Sequence, residues 1–355
     1  TEKRRRRKRG KMIDPPKRTV INEAVCEGCG DCGVQSNCVA VMPLDTEFGR
    51  KRAIDQSNCN KDFSCVNGFC PSFVTVHGGK LKKGKAGSNL EIAPPALTEP
   101  VLVDLEKLGR PYRLIVTGVG GQGTVTVGSI LGMAAHVAGL GCGVMEMTGL
   151  AQKGGAVLSY VRIGLKPDDI KTTKIAAGGA DLMIGGDLIV SGNSEGSETL
   201  AQGTKAIINV NEVITGAFTR NTEFRVPGSE LQESIANKVG KGNVDFVNAT
   251  KIATALMGDS IATNFFLVGY AYQKGWLPIS AAAIERAIEL NGAAIEMNKQ
   301  ALAWGRRAAI DLDAVQKIAT PSSSRPRRTA RRRLGGVRLR RAGLAGPRLA
   351  SPRAG

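Results

Sequence analysis

Apolar residues between positions 111 and 250 fall in short continuous runs, and most of these runs end at a glycine or a polar residue. Such runs are typical of strands that are buried on both faces of a parallel sheet. Helical segments separate several of the runs, and this alternation predicts a layered α/β fold. The predicted strands are residues 112–117, 143–148, 157–163, 181–185, 205–209 and 244–247.

Apolar residues at helical spacing predict helices between and after these strands. A Gly/Ala-rich helix is expected near residues 124–138, and the last part of the body is expected to be mainly helical. Ser280 is a typical N-cap, and Asn291-Gly292 is a typical helix end. The expected C-terminal helices are residues 249–257, 261–274, 281–290 and 293–309.

Composition divides the chain into five segments. We predict a basic arm (1–18), a small cysteine-rich module (19–77), a linker (78–110), an α/β domain (111–317) and a disordered Arg-rich tail (318–355). The tail lacks acidic residues and apolar periodicity, as disordered segments do. No internal repeat is evident in the sequence. The chain does not begin with Met, and we expect it to be a piece of a longer protein.

The net charge of +18 lies in the two ends of the chain. Residues 1–18 contain ten basic and two acidic residues, and residues 318–355 contain eleven arginines and no acid. The body between them is nearly neutral, which disfavours a nucleic-acid-binding protein. No apolar run is long enough to span a bilayer, and no secretory signal follows the basic arm. We therefore expect a cytoplasmic protein that does not contact membranes.

Seven of the eight cysteines lie between Cys26 and Cys70. Without an export signal, such a density favours a metal site over a set of disulfides. A Cys-x2-Cys-x2-Cys triple precedes a remote Cys-Pro pair, the arrangement that bacterial ferredoxins use for an iron–sulfur cluster. Structural zinc usually uses separated pairs and fits this spacing less well. The sequence predicts one [4Fe–4S] cluster bound by Cys26, Cys29, Cys32 and Cys70.

Three further cysteines, Cys38, Cys59 and Cys65, remain after this assignment. They match only in part the spacing of a second ferredoxin-type cluster, which needs a Cys-x2-Cys-x2-Cys triple and a remote cysteine. Three interpretations stay open: a second cluster with one non-cysteine ligand, a three-iron cluster, or no metal. Cys142 stands alone in the α/β domain, and we expect it to be a buried packing residue.

A G-x-G-x-x-G sequence at residues 118–123 follows a predicted strand and opens a predicted helix. Such loops bring backbone N–H groups and a helix N-terminus to a phosphate-bearing ligand. Glu146 ends the next predicted strand and is a candidate ribose-binding acid. The alternative is a purely structural role, in which the glycines only permit close packing of helix and strand. No catalytic constellation of side chains stands out elsewhere.

A second glycine cluster at residues 149–155 contains Gln152 and Lys153. We expect it near the first glycine loop, at the carboxyl ends of the strands, so that both loops face one ligand. The alternative is a solvated turn. The candidate ligand-binding residues are Gly118, Gly120, Gly121, Gln122, Gly123, Gln152, Lys153, Gly154 and Gly155.

Several long motifs resemble the 2-oxoacid:ferredoxin oxidoreductases, and most closely the long fused bacterial form of the indolepyruvate ferredoxin oxidoreductase family. The resemblance covers residues 1–317. The gamma-domain motifs are GVGGQGTVTVGSILGMAAHVAGL, MTGLAQKGGAVLSYVRIG and LPISAAAIERAIELNGAAIEMNKQALAWGRR. The iron–sulfur motifs are KRRRRKRGK, INEAVCEGCGDCG, EFGRKRAIDQSNCNKDFSC and GFCPSFVTV.

The resemblance implies a layered α/β/α gamma domain with a small ferredoxin-like [4Fe–4S] module on its N-terminal side. It also implies oxidative decarboxylation of a 2-oxoacid with thiamine diphosphate and Mg, with coenzyme A as acyl acceptor and ferredoxin as electron acceptor. Both glycine clusters would lie in the substrate and coenzyme A region. The full enzyme would contain thiamine-binding domains and form a homo-oligomer.

This chain departs from the family pattern in three respects. The thiamine-binding motif is absent and would lie upstream, Tyr160 stands where histidine is expected, and the tail beyond residue 320 does not match. We therefore expect this chain alone to be inactive. The alternative functions are a dinucleotide-binding electron-transfer subunit and a zinc module with nucleic-acid-binding arms.

Overall fold

The computed structural model describes residues 3, 6–7, 10–38, 40–56, 59–78, 97–149, 155–211, 221 and 227–320. Several sequence-based predictions fall outside these residues. They are most of the basic arm before residue 10, the linker residues 79–96, the tail after residue 320, and the candidate ligand-binding residues Gln152, Lys153 and Gly154.

The small N-terminal module is built from two antiparallel strand pairs and two short helical segments. Strand β1 pairs with β4 in the register Lys17↔His77, and β2 pairs with β3 in the register Val41↔Ile54. The module buries few apolar side chains, so packing alone gives it a small core. Its elements are β1 (Lys17–Ile21), α1 (Asp31–Ser36), β2 (Val41–Thr46), β3 (Gly49–Ile54), a 3-10 helix (Ser64–Val66) and β4 (Phe73–His77).

The module contains an internal repeat of structure that is not evident in the sequence. Each half is a strand, a seven-residue loop that begins and ends with a cysteine, a short helix that the end of the loop enters, a further cysteine and a second strand. The first half runs from β1 to β2, and the second half runs from β3 to β4. The repeat lies in spacing and backbone conformation rather than in residue identity, which hides it from inspection of the sequence.

The larger domain is organised around a six-stranded sheet, counted over the described residues, with strand order β10-β9-β8-β5-β7-β6. Strands β5, β8, β9 and β10 are parallel, whereas β7 runs antiparallel to both of its neighbours. The strands are β5 (Tyr112–Val119), β6 (Gly141–Thr148), β7 (Ala156–Gly164), β8 (Leu182–Gly185), β9 (Lys205–Asn209) and β10 (Val244–Val247).

All six predicted strands are present, with ends that differ from the predicted ends by at most two residues. The sheet is nevertheless mixed, although the continuous apolar runs suggested parallel strands. The short connection between Thr148 and Ala156 explains the difference. It can reverse the chain into an antiparallel neighbour, but a parallel neighbour needs a crossover of a dozen or more residues.

Helices cover both faces of this sheet, so the predicted three-layer α/β/α fold is confirmed. Alternate residues of β5 point to opposite layers: Leu114 and Val116 join one apolar core, and Ile115 joins the other. The helices are α2 (Leu105–Leu108), α3 (Thr124–Val137), α4 (Leu188–Gly192), α5 (Ser194–Glu198), α6 (Gly228–Val239), α7 (Ala249–Met257), α8 (Thr263–Gln273), α9 (Ala281–Asn291), α10 (Ile295–Ile310) and α11 (Leu312–Ala319).

Local signals account for the ends of several helices. The Ser280 side chain accepts a hydrogen bond from the Ala283 N–H, and Gly292 in the left-handed conformation ends α9, as predicted. A 3-10 turn at Ser260–Ala262 begins the helix expected at 261–274. Residues 97–110, assigned from sequence to the linker, pack onto the α/β domain through α2. No helix in the described part of the chain is both long and apolar enough to cross a membrane.

Candidate functional site

The first glycine loop connects β5 to α3 at one edge of the sheet. Gly121 and Gly123 have φ angles of 93° and 92°, a region that favours glycine. Gly118 also lacks room for a side chain, because an added Cβ would lie 2.3 Å from Thr124 Oγ1. No side chain caps α3, so the loop presents a helix N-terminus to a groove of about 250 Å³. Val119, Gly121, Gly123, Thr124, Val125 and Val157 line this groove.

The end of the second glycine cluster lies directly against the first loop. The Gly120 N–H donates a hydrogen bond of 2.8 Å to the Gly155 carbonyl oxygen. An added Cβ at Gly120 would lie 3.3 Å from the same oxygen, a tight contact. Gln152, Lys153 and Gly154 lie outside the described residues, so a ligand shared by the two loops stays a prediction.

A residue that the sequence analysis missed holds the glycine loop in place. Asn264, in the first turn of α8, donates a hydrogen bond of 2.7 Å from Nδ2 to the Gln122 carbonyl oxygen. Its side chain also lies beside Gly123, where an added Cβ would be 2.8 Å from Asn264 Nδ2. Nothing local in the sequence indicates this contact, because the two segments are far apart along the chain.

The position of Glu146 disfavours the dinucleotide-binding alternative. In that fold the ribose-binding acid ends a strand that neighbours the glycine-loop strand. Here β7 lies between β5 and β6, the strand that carries Glu146. The exposed Glu146 carboxylate instead accepts a 3.4 Å hydrogen bond from Ser129 Oγ on α3. The glycine loop and Glu146 are therefore not arranged as that fold requires.

The first cysteine loop is shaped by Gly28 and Gly30, whose φ angles are 80° and 82°. Gly28 cannot carry a side chain, because an added Cβ would lie 2.1 Å from the Arg50 carbonyl oxygen. Burial, followed by the neighbouring Cys26 and Cys29 thiolates, raises the pKa of Cys32 to about 11. The effect of Cys26 and Cys29 on Cys32 indicates that both sulfur atoms lie near that of Cys32.

The folded module brings together a second group of cysteines, whose role the sequence did not decide. Burial, followed by the neighbouring Cys38 and Cys59 thiolates, raises the pKa of Cys65 to about 12. Cys38 follows α1, Cys59 follows β3, and Cys65 lies in the 3-10 helix. The folded module therefore gathers three cysteines that lie in separate parts of its sequence.

The pairing of β1 with β4 places Cys70, which precedes β4, on the side of the first loop, which follows β1. Asn22, which follows β1, donates its N–H to the Ser72 carbonyl oxygen at 2.8 Å. The Cys26 N–H in turn donates to the Asn22 carbonyl oxygen at 2.9 Å. Cys70 Sγ lies 3.0 Å from Ser72 Oγ. Only Pro71 and Ser72 separate Cys70 from β4, the strand that pairs with β1.

None of the eight cysteines forms a disulfide. Among the described residues, no three His, Cys, Asp or Glu side chains are placed to hold one metal ion. A cubane cluster distributes four ligands over four irons, so its ligands do not converge on a single point. Cys142 is partly buried and packs against the core of the α/β domain.

Residues 113–308 match the pyruvate ferredoxin/flavodoxin oxidoreductase family. Indolepyruvate oxidoreductase subunit IorB of Archaeoglobus fulgidus is 34% identical over 200 residues, which are 56% of this chain and 94% of the relative. The subunit of the same name from Pyrococcus horikoshii is 29% identical over 205 residues, 57% of this chain and 98% of the relative.

Among solved structures, pyruvate oxidoreductase subunit PORC from Thermotoga maritima is 21% identical, with a TM-score of 0.41. That similarity covers 56% of this chain and 96% of the Thermotoga chain. The family match takes in the sheet, both glycine-loop ends and most of the C-terminal helices. Since the match extends over more than half of its residues, the chain belongs to the pyruvate ferredoxin/flavodoxin oxidoreductase family.

Proposed function

We propose that this chain is the iron–sulfur and gamma portion of a thiamine-dependent 2-oxoacid:ferredoxin oxidoreductase of the indolepyruvate type. Its role is to relay electrons through a [4Fe–4S] cluster bound by Cys26, Cys29, Cys32 and Cys70. The observation that carries the proposal is the presence, in one chain, of the family's α/β domain and a module that gathers cysteines in two groups. Relatives named as indolepyruvate oxidoreductase subunits support the substrate class.

The donor set of the first loop fits a cubane cluster. Thiolate sulfur is the usual ligand of such clusters, and the Cys-x2-Cys-x2-Cys spacing supplies three of them. Gly28 and Gly30 turn the backbone so that the three side chains approach one another. When bound, the cluster would accept and release single electrons. The exposed Cys29 would place it near the protein surface, where an acceptor such as ferredoxin can approach.

The α/β domain would contribute to the substrate and coenzyme A region through its glycine loops. Backbone N–H groups at an uncapped helix N-terminus favour phosphate groups, which coenzyme A carries. Residues 118–123 and 152–155 would form this surface. Thiamine diphosphate and Mg would be bound by other domains or subunits of the same enzyme. The chain alone would then not turn over a 2-oxoacid. The full enzyme would be a homo-oligomer in the cytoplasm.

Anaerobic purification of the whole chain, with iron and sulfide counts and a visible spectrum, tests the first site. Wild-type protein should be brown, and the Cys29→Ser variant should lose about four irons and four sulfides per chain. Cys142→Ser is the matched control, because it removes a thiol from the α/β domain and should leave both counts unchanged. A colourless protein containing zinc, or unchanged iron in Cys29→Ser, would contradict the proposal.

A further inference from the structure

The two cysteine loops of the small module have the same backbone conformation. In the first loop, residues 26–32, Gly28 and Gly30 have φ angles of 80° and 82°. In the second loop, residues 59–65, Lys61 and Phe63 have φ angles of 53° and 61°. The left-handed residues therefore occupy the third and fifth positions of both seven-residue loops.

This conformation is unfavourable for Lys61 and Phe63, which carry a Cβ atom. Within the described residues, only Asn37, Lys61, Phe63 and Ala294 are non-glycine residues with positive φ. Two of these four lie in the second loop. Strained backbone of this kind clusters at functional sites, where the surrounding structure holds it in place. The second loop keeps the shape of the first despite this cost.

Hydrogen bonds that enter the two loops also correspond. The Cys26 N–H donates to the Asn22 carbonyl oxygen at 2.9 Å, and the Cys59 N–H donates to the Asp55 carbonyl oxygen at 3.0 Å. Each acceptor is four residues before its cysteine and directly follows a strand. Cys59 therefore occupies in the second loop the place that Cys26 occupies in the first.

The ends of the loops correspond in the same way. The Gly33 N–H donates to the Gly30 carbonyl oxygen at 2.9 Å, and the Val66 N–H donates to the Phe63 carbonyl oxygen at 3.1 Å. In each case the left-handed residue is the N-cap of the helix that follows. Cys32 and Cys65 are both second residues of these helices, so Cys65 corresponds to Cys32.

The remote cysteines are related by the same repeat. The Val41 N–H donates to the Cys38 carbonyl oxygen at 3.1 Å, and the Phe73 N–H donates to the Cys70 carbonyl oxygen at 3.4 Å. Each cysteine therefore lies three residues before the first residue of a strand. Cys38 therefore corresponds to Cys70. Because Cys70, in the second half, is the remote ligand proposed for the first loop, Cys38, in the first half, is the remote ligand expected for the second loop. Cys38 lies near Cys65, as this expectation requires.

One position of the second loop differs from the first: Asp62 stands where the first loop has Cys29. Both residues are solvent-exposed and lie between two left-handed residues. Asp62 Oδ1 accepts hydrogen bonds from Ser64 N at 3.2 Å and from Ser64 Oγ at 3.0 Å, which hold the carboxylate beside the 3-10 helix.

We propose that Cys38, Cys59, Asp62 and Cys65 bind a second cubane iron–sulfur cluster, with the Asp62 carboxylate as the ligand of its fourth iron. The proposal rests on the module being an iron–sulfur module, as proposed above, and adds a second site to it. Carboxylate oxygen is a harder ligand than thiolate and suits iron–sulfur iron less well. The iron on Asp62 is therefore the one that leaves most readily.

This ligand set predicts a defined reaction with a mild oxidant. Ferricyanide removes one electron from the [4Fe–4S]²⁺ form, the Asp62–iron bond breaks, and Fe²⁺ leaves. The product is a [3Fe–4S]⁺ cluster held by Cys38, Cys59 and Cys65. The first site has four thiolates and should retain its iron under the same conditions. Three-iron clusters of this charge give a characteristic electron paramagnetic resonance signal.

The test compares the full wild-type chain with Asp62→Cys, which gives the second loop the same ligand set as the first. Anaerobic wild-type protein should contain about eight irons per chain and, after titration with ferricyanide, should lose about one iron and show about one three-iron signal per chain. Asp62→Cys should keep its iron and show little of that signal. Asp31→Asn, which removes an exposed acid within the first loop, is the matched control and should behave as wild type.

Two results would overturn this proposal while leaving the proposed function intact: the first removes the second cluster, and the second removes Asp62 as its ligand. One is about four irons per chain, all of which disappear in Cys29→Ser. The other is eight irons with the same ferricyanide response in wild type and Asp62→Cys. A protein without iron and sulfide would instead reject the proposed function itself. Because Asp62→Cys adds a thiolate rather than removing one, a failure of the module to fold does not imitate the expected result.

Discussion

The Gln122 carbonyl oxygen accepts a 2.7 Å hydrogen bond from Asn264 Nδ2, and this contact ties the glycine loop to α8. The loop has no side-chain cap at the start of α3, so Asn264 is a main support of its conformation. The pairing also places the side chain of Asn264 against Gly123, which leaves little room for any bulkier residue there.

Asn264→Ala should loosen the glycine loop without unfolding the domain. Loss of one partly buried hydrogen bond costs about 1 kcal/mol. Hydrogen exchange of the backbone amides around Gln122 and Gly123 should accelerate, and binding of coenzyme A should weaken. Asn291→Ala, an exposed amide at the end of α9, should change neither quantity. Unchanged amide exchange in Asn264→Ala would contradict the supporting role.

Gly305→Ala should destabilise the α/β domain strongly. Helices α8 and α10 approach so closely that an added Cβ at Gly305 would lie 1.9 Å from the Phe266 carbonyl oxygen. Overpacking of this kind typically costs about 1–3 kcal/mol, because backbone must move. Urea unfolding should show the loss. Gly242→Ala is the control, since an added Cβ there meets nothing within 4 Å. Equal stability of the two variants would refute the close approach.

Gly28→Ala should remove the first cluster. Its φ of 80° and the 2.1 Å approach of an added Cβ to the Arg50 carbonyl oxygen act together against any side chain. Gly49→Ala separates the two causes, because Gly49 has a φ of 89° but no atom within 4 Å of an added Cβ. Iron counts should fall in Gly28→Ala and hold in Gly49→Ala. Similar counts in both variants would mean that the contact with Arg50 is unimportant.

Acid should destabilise the α/β domain through Asp181. Burial raises the pKa of Asp181, but hydrogen bonds from Arg110 and Arg113 outweigh burial and lower it. The two arginines lie 2.7 Å and 3.3 Å from its carboxylate oxygens. A lowered pKa contributes stability above the pKa of the unfolded state, about 4, and this contribution is lost as the pH falls through the folded value.

Asp181→Asn should therefore lower stability at neutral pH and flatten its dependence on pH below about 4. Both tryptophans of the chain, Trp276 and Trp304, lie in the α/β domain, so their fluorescence reports the unfolding of that domain alone. Asp168→Asn, at an exposed position, is the control and should keep the wild-type acid profile. A variant of Asp181 with an unchanged acid profile would show that the ion pairs contribute nothing.

The sequence predicted the strands well because their apolar runs are continuous and end at glycines, as at Gly118. It did not predict that β7 is antiparallel, since strand order depends on where the chain goes after Thr148. Spacing grouped Cys26, Cys29 and Cys32, which are neighbours in sequence. The grouping of Cys38 with Cys59 depends instead on the fold. Asn264 could not be found, because its partner lies in a distant segment.

The pairing of Lys17 with His77 has a consequence for biosynthesis. The first strand of the small module finds its partner only at the other end of the module, so this contact is among the least local that the module makes. Non-local pairing slows folding, because a long loop must close before the contact forms. During translation the module therefore cannot complete this strand pair until its last strand has left the ribosome.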